Sequence, residues 1–194
     1  GYRVAVFDNL TEGHRKAVDT RADFFQGDLS DRTVLRHAFD EAKPDAVMHF
    51  AASALVGESM SNPSKYFRNN VANGINLLDV AVESGVKKFV FSSTCATFGE
   101  PVAMPMDETH PQAPLNPYGR SKLMVEQALA DYDRYVGFRS AVMRYFNAAG
   151  ADPEGRIGEW HEPETHAIPL AIDVALGKRS HFTIFGDDYD TRDG

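Results

Sequence analysis

The most constraining feature of the sequence is an alternation of short apolar runs with longer segments that carry apolar residues at helical spacing. A strand, a crossover helix and a second strand form the pattern of a parallel sheet covered by helices. The runs AVMHFAA, KKFVFSS and SAVMRYF are mostly apolar, which is typical of strands buried on both faces. We therefore predict an α/β fold with a doubly wound parallel sheet. The predicted strands are Arg3–Asp8, Asp23–Phe25, Ala46–Ala51, Lys88–Ser93, Ser140–Phe146 and Phe182–Phe185, and the predicted helices are Arg32–Lys43, Ser64–Ser84, Tyr118–Val136 and Ile168–Gly177.

Composition and charge exclude several classes of protein. Hydrophobic residues make up 43% and charged residues 25% of the 194 residues, so a disordered or fibrous chain is excluded. The net charge of −8 argues against nucleic acid or an anionic membrane surface as the main partner. No apolar run is long enough to cross a bilayer. A single cysteine, Cys95, cannot form an internal disulfide, so we expect a cytoplasmic protein.

The ends of the chain and its first polar residues bear on cofactor binding. The chain begins at Gly1 within a predicted strand, without an initiator methionine, so we expect a piece of a longer protein. Asp8 and Asn9 end that strand, where an acidic residue in a dinucleotide-binding unit holds the adenosine ribose and favours NAD over NADP. The alternative is an Asp-Asn pair that only forms a turn. The glycine-rich phosphate turn belongs about 20 residues earlier. Either it precedes Gly1 or Asp8 is not a ribose ligand.

Two further segments can each be interpreted either as part of a ligand-binding site or as purely structural. Asp28, in the segment Gly27–Ser30, could accept the adenine amino group, but we favour Asp28 or Ser30 as the cap of the following helix. Small residues from Ala51 to Ala54 end another predicted strand. They would admit a flat ligand close to the backbone or the tight packing of a helix.

The strongest chemical signal joins a hydroxyl-rich strand end to a tyrosine and a lysine. Ser92, Ser93 and Thr94 end an apolar strand, and Asn116-Pro117 is typical of a helix start, with asparagine as cap and proline in the first turn. Tyr118 and Lys122 then lie four residues apart on one face of that helix. The alternative is a packed tyrosine and a solvated lysine. The hydroxyl-rich strand end favours a catalytic pair.

Proton transfer by this pair requires a shift in the pKa of Tyr118. A free tyrosine has a pKa near 10, so about one in a thousand is ionised at pH 7. A useful base needs a pKa lower by about three units, or roughly 4 kcal/mol, which a lysine ammonium about 4 Å away supplies at an effective dielectric near 20. We therefore expect Lys122 to lower the pKa of Tyr118. Thr94 would relay between Tyr118 and a substrate oxygen.

These motifs resemble the extended short-chain dehydrogenase/reductase family, and within it the nucleotide-sugar epimerases. The resemblance implies a Rossmann-type fold, and its later segments are more specific to nucleotide-sugar epimerases than the Tyr-x-x-x-Lys pair. Two departures are Ala54, where some members carry lysine, and Thr94, where others have serine. The segments that carry the resemblance are DNL from Asp8, GD from Gly27, HFAA and GES within His49–Ser59, NN at Asn69, SSTCATFGEP from Ser92, NPYGRSKLMVE from Asn116, RYFNAAGADPEGRIGE from Arg144, HEPETHAIP from His161 and IFGDDYDTRDG from Ile184.

The resemblance implies a role for each matching residue. Tyr118 would be the base, Lys122 would lower its pKa and hold the nicotinamide ribose, and Thr94 would bond the sugar 4-oxygen. Besides Tyr118 and Lys122, the residues implied in NAD binding are Asp8 and Asn9 for the ribose, Asp28 and Leu29 for the adenine, Phe50, Ala51 and Ala52 as lining, Asn69 as support, and Tyr145 near the nicotinamide. The residues implied in contacts with the UDP-sugar are Asn147, Ala167, Thr183 and Phe185, besides Thr94 and Tyr118.

The function implied by the resemblance is NAD-dependent epimerisation at C4 of a UDP-hexose, as in galactose metabolism, through a transient 4-keto sugar. The alternatives are a UDP-arabinose/UDP-xylose or UDP-uronate 4-epimerase on the same scaffold, and a non-catalytic dinucleotide-binding module. The module would be expected to lose the Tyr–Lys pair, which this sequence retains. The resemblance also implies a homodimer.

The resemblance divides the chain into an NAD-binding domain over residues 1–147 and the start of a UDP-sugar-binding portion over residues 148–194. Because the family's glycine-rich turn and uridine-binding portion are not among these residues, we expect the 194-residue chain alone to bind NAD poorly and not to turn over. Tight retention of NAD by this chain would contradict that expectation.

A cluster of histidines and acids near the end of the chain suggests a metal site. His161, Glu162, Glu164 and His166 do not have the HExxH spacing, and no third ligand is evident. We therefore predict no metal site and interpret the segment as a polar loop on the substrate side. We interpret Cys95 as a small packed residue.

Overall fold

Five parallel strands form the sheets in the part of the chain that the structure describes. The structure is a computed structural model that describes residues 1–189 and 192. Residues 190, 191, 193 and 194, at the end of the segment that begins at Ile184, lie outside it. Strand β1 (Ala5–Asp8) pairs with β2 (Asp23–Gln26), and β3 (Ala46–His49), β4 (Lys88–Thr94) and β5 (Ser140–Tyr145) form a second sheet in the order β3-β4-β5.

Helices connect these parallel strands, so the predicted α/β architecture is confirmed. The predicted helix Ser64–Ser84 consists of two α-helices joined by a π-helical turn at Phe67–Ala72. The helices are α1 (Arg32–Ala42), α2 (Val56–Ser61), α3 (Pro63–Tyr66), α4 (Asn73–Glu83), α5 (Pro117–Val136) and α6 (Ala167–Ala175), and single 3-10 turns occur at Arg15–Ala17 and Cys95–Thr97. Among the described residues, none of these helices has the length and apolar character needed to cross a membrane.

Local capping chemistry sets the start of the two helices that position the candidate site. Asn116 accepts a hydrogen bond from the backbone N–H of Gly119 at 2.8 Å, and Pro117 lies in the first turn of α5, as predicted. Helix α1 is capped by Asp31, which accepts from two backbone N–H groups of its first turn. The prediction that Asp28 or Ser30 caps α1 is therefore wrong.

A single apolar core lies between the sheets and the helices of the first unit. Leu35 of α1, Leu78 of α4, Phe91 of β4, and Val125 and Leu129 of α5 are almost fully buried in it. Each such side chain stabilises the fold by about 1.5–3 kcal/mol relative to exposure. Burial against this core fixes which face of α5 meets β4.

Two sequence predictions about strands are wrong. The residues Phe182–Phe185 form no strand. Strands β3 and β5 are not buried on both faces, because Met48 is 61% exposed and Met143 is 44% exposed. In each strand the neighbouring residue, Val47 or Val142, packs against the core instead.

Contacts within the chain divide it into two units, which are described separately. The first runs from Gly1 to Ala148 and contains all five strands and helices α1 to α5. The second begins at Ala149 and contains α6.

Two helical glycines are expected to respond in opposite ways to alanine. A Cβ atom on Gly119 would lie 2.4 Å from the carbonyl oxygen of Ala96, so Gly119→Ala must push α5 away from the Cys95–Thr97 turn. We expect a loss of about 1–3 kcal/mol in the free energy of unfolding. Gly57 in α2 has nothing within 4 Å of such an atom, so Gly57→Ala should stabilise by up to about 1 kcal/mol.

Urea denaturation of both variants measures these changes. Equal effects of the two substitutions would contradict the close approach of α5 to this turn.

Candidate active site

The carboxyl end of β4 is fastened to α5 at two consecutive residues, Ser92 and Ser93. The Lys122 ammonium donates to the carbonyl of Ser92 at 2.8 Å, and the hydroxyl of Ser93 donates to Glu126 in a short hydrogen bond. Thr94 is the next residue, and hydrogen bonding by its side chain acts to lower the pKa of Tyr118. On α5, Tyr118, Lys122 and Glu126 follow one another at intervals of four residues. They therefore lie along one face of the helix.

Glu126 extends this connection to β5 and to the loop before α5. Its carboxylate accepts from the Arg144 guanidinium at 2.8 Å and from the Gln112 amide at 2.9 Å. The Glu126 side chain is almost fully buried, and Arg144 lies directly opposite Ser93 in the β4–β5 register. One carboxylate therefore joins two strands, one helix and one loop at the end of the sheet.

Register places a second tyrosine at the same sheet end. Tyr145 lies opposite Thr94 at the last paired position of β4 and β5. The structure therefore brings Thr94, Tyr118, Lys122 and Tyr145 to one end of the sheet.

Cys95 is partly buried and forms no disulfide, which agrees with a small packed residue.

Burial controls the charge of Lys122 and of its neighbour His49. Lys122 is only 4% exposed, and burial lowers its pKa to about 8. Burial, together with the nearby Lys122 charge, lowers the pKa of His49 to about 3. At neutral pH, His49 is therefore neutral, and Lys122 carries the positive charge.

Tyr118 itself departs from the sequence prediction. Burial raises its pKa, and the Thr94 side chain acts in the opposite direction. The expectation that Lys122 lowers this pKa is wrong for the structure described. The physical reason is geometric, because the Lys122 ammonium is bonded to Ser92 and lies 6.0 Å from the centre of the Tyr118 ring.

Tyr66 is a buried tyrosine beside Tyr118, and its hydroxyl is surrounded by hydrogen-bond acceptors. The Tyr66 and Tyr118 rings pack in a T-shaped arrangement with their centres 6.3 Å apart. The Tyr66 hydroxyl oxygen lies 2.6 Å from the Leu55 carbonyl oxygen and 2.8 Å from a Glu58 carboxylate oxygen, and its single proton is shared between these two acceptors. Burial and the Glu58 carboxylate raise the pKa of Tyr66, so it stays protonated and serves as packing for Tyr118.

The π-helical turn ties the end of β3 to the start of α5. The Asn70 side chain bonds both the N–H and the carbonyl of Ser53, at 2.9 and 3.0 Å, and donates to the Ser121 hydroxyl at 2.9 Å. Ser121 in turn donates to the Tyr118 carbonyl at 2.7 Å. Asn69 donates to the Ser53 hydroxyl at 3.2 Å. π-helical turns occur often at functional sites, and this one positions two segments implicated in cofactor binding.

The ends of β1 and β2 are joined by polar side chains. Asp8 accepts from the backbone N–H of Leu10 at 2.6 Å, and Asn9 donates to Asp28 at 2.7 Å. Asp28 also accepts from the Ser30 hydroxyl, and these hydrogen bonds lower its pKa. Asp8 therefore stabilises a turn at the end of β1. Its role as a ribose ligand stays a prediction.

The remaining predicted residues occupy different settings. Phe50 and Ala51 are exposed just after β3, Ala52 is half-buried, and Leu29 is buried in the core with its carbonyl accepting from Asn76. Asn147 is exposed just after β5. The implied substrate contacts Ala167, Thr183 and Phe185 belong to the second unit and are exposed there.

Sequence reasoning missed Asn70, Glu126, Arg144 and His49. Glu126 was detectable, because it continues the four-residue spacing of Tyr118 and Lys122 along α5. The other three take their roles from contacts between elements distant in sequence, for which the sequence carries no local signal.

Known proteins are similar to this chain over its whole length. A model of the NAD dependent epimerase/dehydratase family matches residues 1–193. The UDP-glucose 4-epimerase of Rhizobium leguminosarum bv. trifolii is 58% identical over 194 residues, which are 100% of this chain and 59% of that protein. The corresponding enzyme of Rhizobium meliloti is 57% identical with the same coverage. The chain therefore spans about 59% of the length of these relatives.

Solved structures show the same fold. The crystal structure of UDP-glucose 4-epimerase from Brucella ovis in complex with NAD matches with a TM-score of 0.95 and 48% identity, over 100% of this chain and 59% of that one. UDP-glucose-4-epimerase from Stenotrophomonas maltophila, with bound NAD and formylated UDP-arabinopyranose, matches with a TM-score of 0.93 and 37% identity, over 100% and 60%. The predicted Rossmann-type fold is confirmed.

The buried Lys122 should make stability depend on alkaline pH. Its folded pKa of about 8 lies below the unfolded value near 10.4, so between these values the unfolded chain binds more protons. Stability then rises with pH by up to about 1.4 kcal/mol per unit relative to a Lys122→Met variant. This contribution is complete above the unfolded pKa and is lost as pH falls through about 8.

Urea denaturation at a series of pH values from neutral upward measures this slope. Lys16→Met, at an exposed lysine, is the matched control and should run parallel to the parent chain. Parallel curves for the parent chain and Lys122→Met would show that the ammonium is not desolvated.

Proposed function

We propose that this chain, which belongs to the NAD dependent epimerase/dehydratase family, forms the proton-transfer site of an NAD-dependent UDP-hexose 4-epimerase. The expected substrates are UDP-glucose and UDP-galactose. The observation that carries the proposal is the attachment of the end of β4, through Ser92 and Ser93, to the helix face that presents Tyr118 and Lys122. Thr94 is the next residue of that strand. The names of the relatives support the same reaction.

The residues present fit NAD. An acid ends β1, as ribose binding requires, and Gly13 approaches it so closely that a Cβ would lie 2.8 Å from the Asp8 carboxylate. Exposed Phe50 and Ala51 follow β3, where a flat ring can approach the backbone. In this proposal Asp8 and Asn9 hold the adenosine ribose, and Lys122 holds the nicotinamide ribose.

Three residues of the chain divide the work on the sugar. The Tyr118 phenolate takes the proton of the 4-hydroxyl, and Thr94 holds the 4-oxygen by a hydrogen bond. Bound NAD would accept the hydride from C4 and return it. The 4-keto sugar would turn in the site between these two transfers, and Tyr118 would give its proton back to the 4-oxygen.

The electrostatic requirement for this base is severe. Because burial raises the pKa of Tyr118, its ionisation at pH 7 costs more than the roughly 4 kcal/mol of a free tyrosine. The positive amino end of α5 and a cationic nicotinamide would offset part of this cost.

A second substrate class is favoured by one observation. The Stenotrophomonas maltophila structure holds a formylated UDP-arabinopyranose at 37% identity to this chain. A UDP-pentose or UDP-uronate 4-epimerase would use the same Thr94, Tyr118 and Lys122. Incubating the intact protein with UDP-galactose, UDP-arabinose and UDP-N-acetylgalactosamine, and comparing epimerisation rates by chromatography, decides between these substrates.

The proposal includes the arrangement that the resemblance implies. Residues 1–147 would bind NAD and residues 148–194 would begin the UDP-sugar-binding portion, with Ala167, Thr183 and Phe185 as its contacts. The intact protein would be a cytoplasmic homodimer. The resemblance of the sequence to the nucleotide-sugar epimerases is the support for these points.

Replacing the base tests the mechanism directly. In the intact protein, Tyr118→Phe should lower turnover by at least about 100-fold, because it removes the proton acceptor. NAD should remain bound, because the ribose-binding groups are unchanged. Epimerisation rates and NAD retained after gel filtration are the measurements.

Tyr135→Phe is the matched control for that variant. Tyr135 lies on the same helix and is 73% exposed, so its replacement should leave the rate unchanged. Near-normal turnover of Tyr118→Phe would exclude Tyr118 as the base.

A further inference from the structure

Four side chains of the second unit converge although they are spread along the loop before α6. The ligating atoms of Glu159, His161, Glu164 and His166 all lie within 4.8 Å of one another. Glu162, which the sequence grouped with the histidines, instead accepts a hydrogen bond from the Trp160 indole at 3.0 Å. The third ligand that the sequence spacing lacked is therefore present, together with a fourth.

We propose that Glu159, His161, Glu164 and His166 form a binding site for a divalent transition-metal ion of the Zn²⁺ type. This inference is independent of the proposed epimerase function. It also replaces the sequence expectation that this segment is only a polar loop.

The separations between the ligating atoms suit a tetrahedral ion. Zinc bonds to nitrogen and oxygen at about 2.0–2.2 Å, which places neighbouring tetrahedral ligands about 3.4 Å apart. The Nδ1 atom of His166 lies 2.8 Å from Glu164 and 2.9 Å from Glu159, and the Nδ1 atom of His161 lies 3.5 Å from Glu159 and 3.8 Å from Glu164. These four distances bracket the required value, so small side-chain rotations suffice.

The donor set selects the class of ion. Imidazole nitrogen suits zinc, copper and nickel, whereas magnesium and calcium prefer sites made only of oxygen ligands. With neutral imidazoles the two carboxylates carry two negative charges, which one divalent cation balances. The amino end of α6, which begins just after His166, opposes a cation by about 0.3–1 kcal/mol, a small penalty beside four metal–ligand bonds.

A bound ion would connect two parts of the second unit. Glu159 and His161 lie in the loop, whereas His166 is the residue immediately before α6. Coordination would therefore fasten the loop to the start of the helix. The His161 and His166 rings already lie with their centres 4.7 Å apart, so little chain movement is required.

Calorimetric titration of the chelator-treated 194-residue chain with Zn²⁺ alone tests the site. We expect one equivalent to bind, and Mg²⁺ to bind far more weakly. His161→Ala combined with His166→Ala, and separately Glu159→Gln combined with Glu164→Gln, should each weaken Zn²⁺ binding by at least about tenfold. Loading with Co²⁺ should give the visible absorption of a tetrahedral ion, which both double variants lose.

Glu162→Gln combined with His181→Ala is the matched control. It removes one carboxylate and one exposed imidazole from the same unit but none of the four ligands, so Zn²⁺ affinity should be unchanged. Circular dichroism checks that each variant folds. Unchanged Zn²⁺ binding in either ligand variant, equal affinity for Mg²⁺, or no binding by the parent chain would overturn the proposal.

Discussion

The attachment of the end of β4 to α5 is the constraint on which the candidate site depends. Its central member is the buried Glu126–Arg144 ion pair, which also receives the Ser93 hydroxyl. Burying an ion pair costs desolvation free energy that the pairing only roughly offsets, but removing one partner leaves an unpaired buried charge. The pair therefore contributes little net stability and strongly restricts geometry. It holds the end of β4, which carries Thr94, against the helix that carries Tyr118, the base in the proposed function.

The same attachment explains the electrostatics of the site. A lysine placed next to the core must lose hydration, and burial accordingly lowers the pKa of Lys122 to about 8. The lysine still remains mostly charged at neutral pH, while burial keeps His49 neutral. One positive charge thus remains near Tyr118 where two would repel each other. Perturbed groups of this kind cluster at functional sites, because function maintains an arrangement that stability alone would not favour.

The features that were predictable from the sequence are those with local causes. Asn116 and Pro117 mark the start of α5 because a cap and a first-turn proline act within a few residues. The cap of α1 was misassigned because Asp28, Ser30 and Asp31 are all competent caps, and packing of the helix decides among them. Asp28 instead bonds Asn9, which lies 19 residues away.

The run Phe182–Phe185 has an apolar pattern, but a strand also needs a neighbouring strand to pair with, which no local pattern supplies.

Distances through space were the least predictable quantity. The four-residue spacing of Tyr118 and Lys122 correctly placed both on one helix face, but the pKa of Tyr118 depends on where the ammonium is bonded, and Ser92 holds it. The histidine cluster shows that side chains can also converge without any signal in their spacing. Its spacing along the chain matches no metal motif, yet the loop turns back so that Glu159 lies 2.9 Å from His166. Sequence spacing is informative within a helix, where geometry is fixed, and it loses that value in a loop.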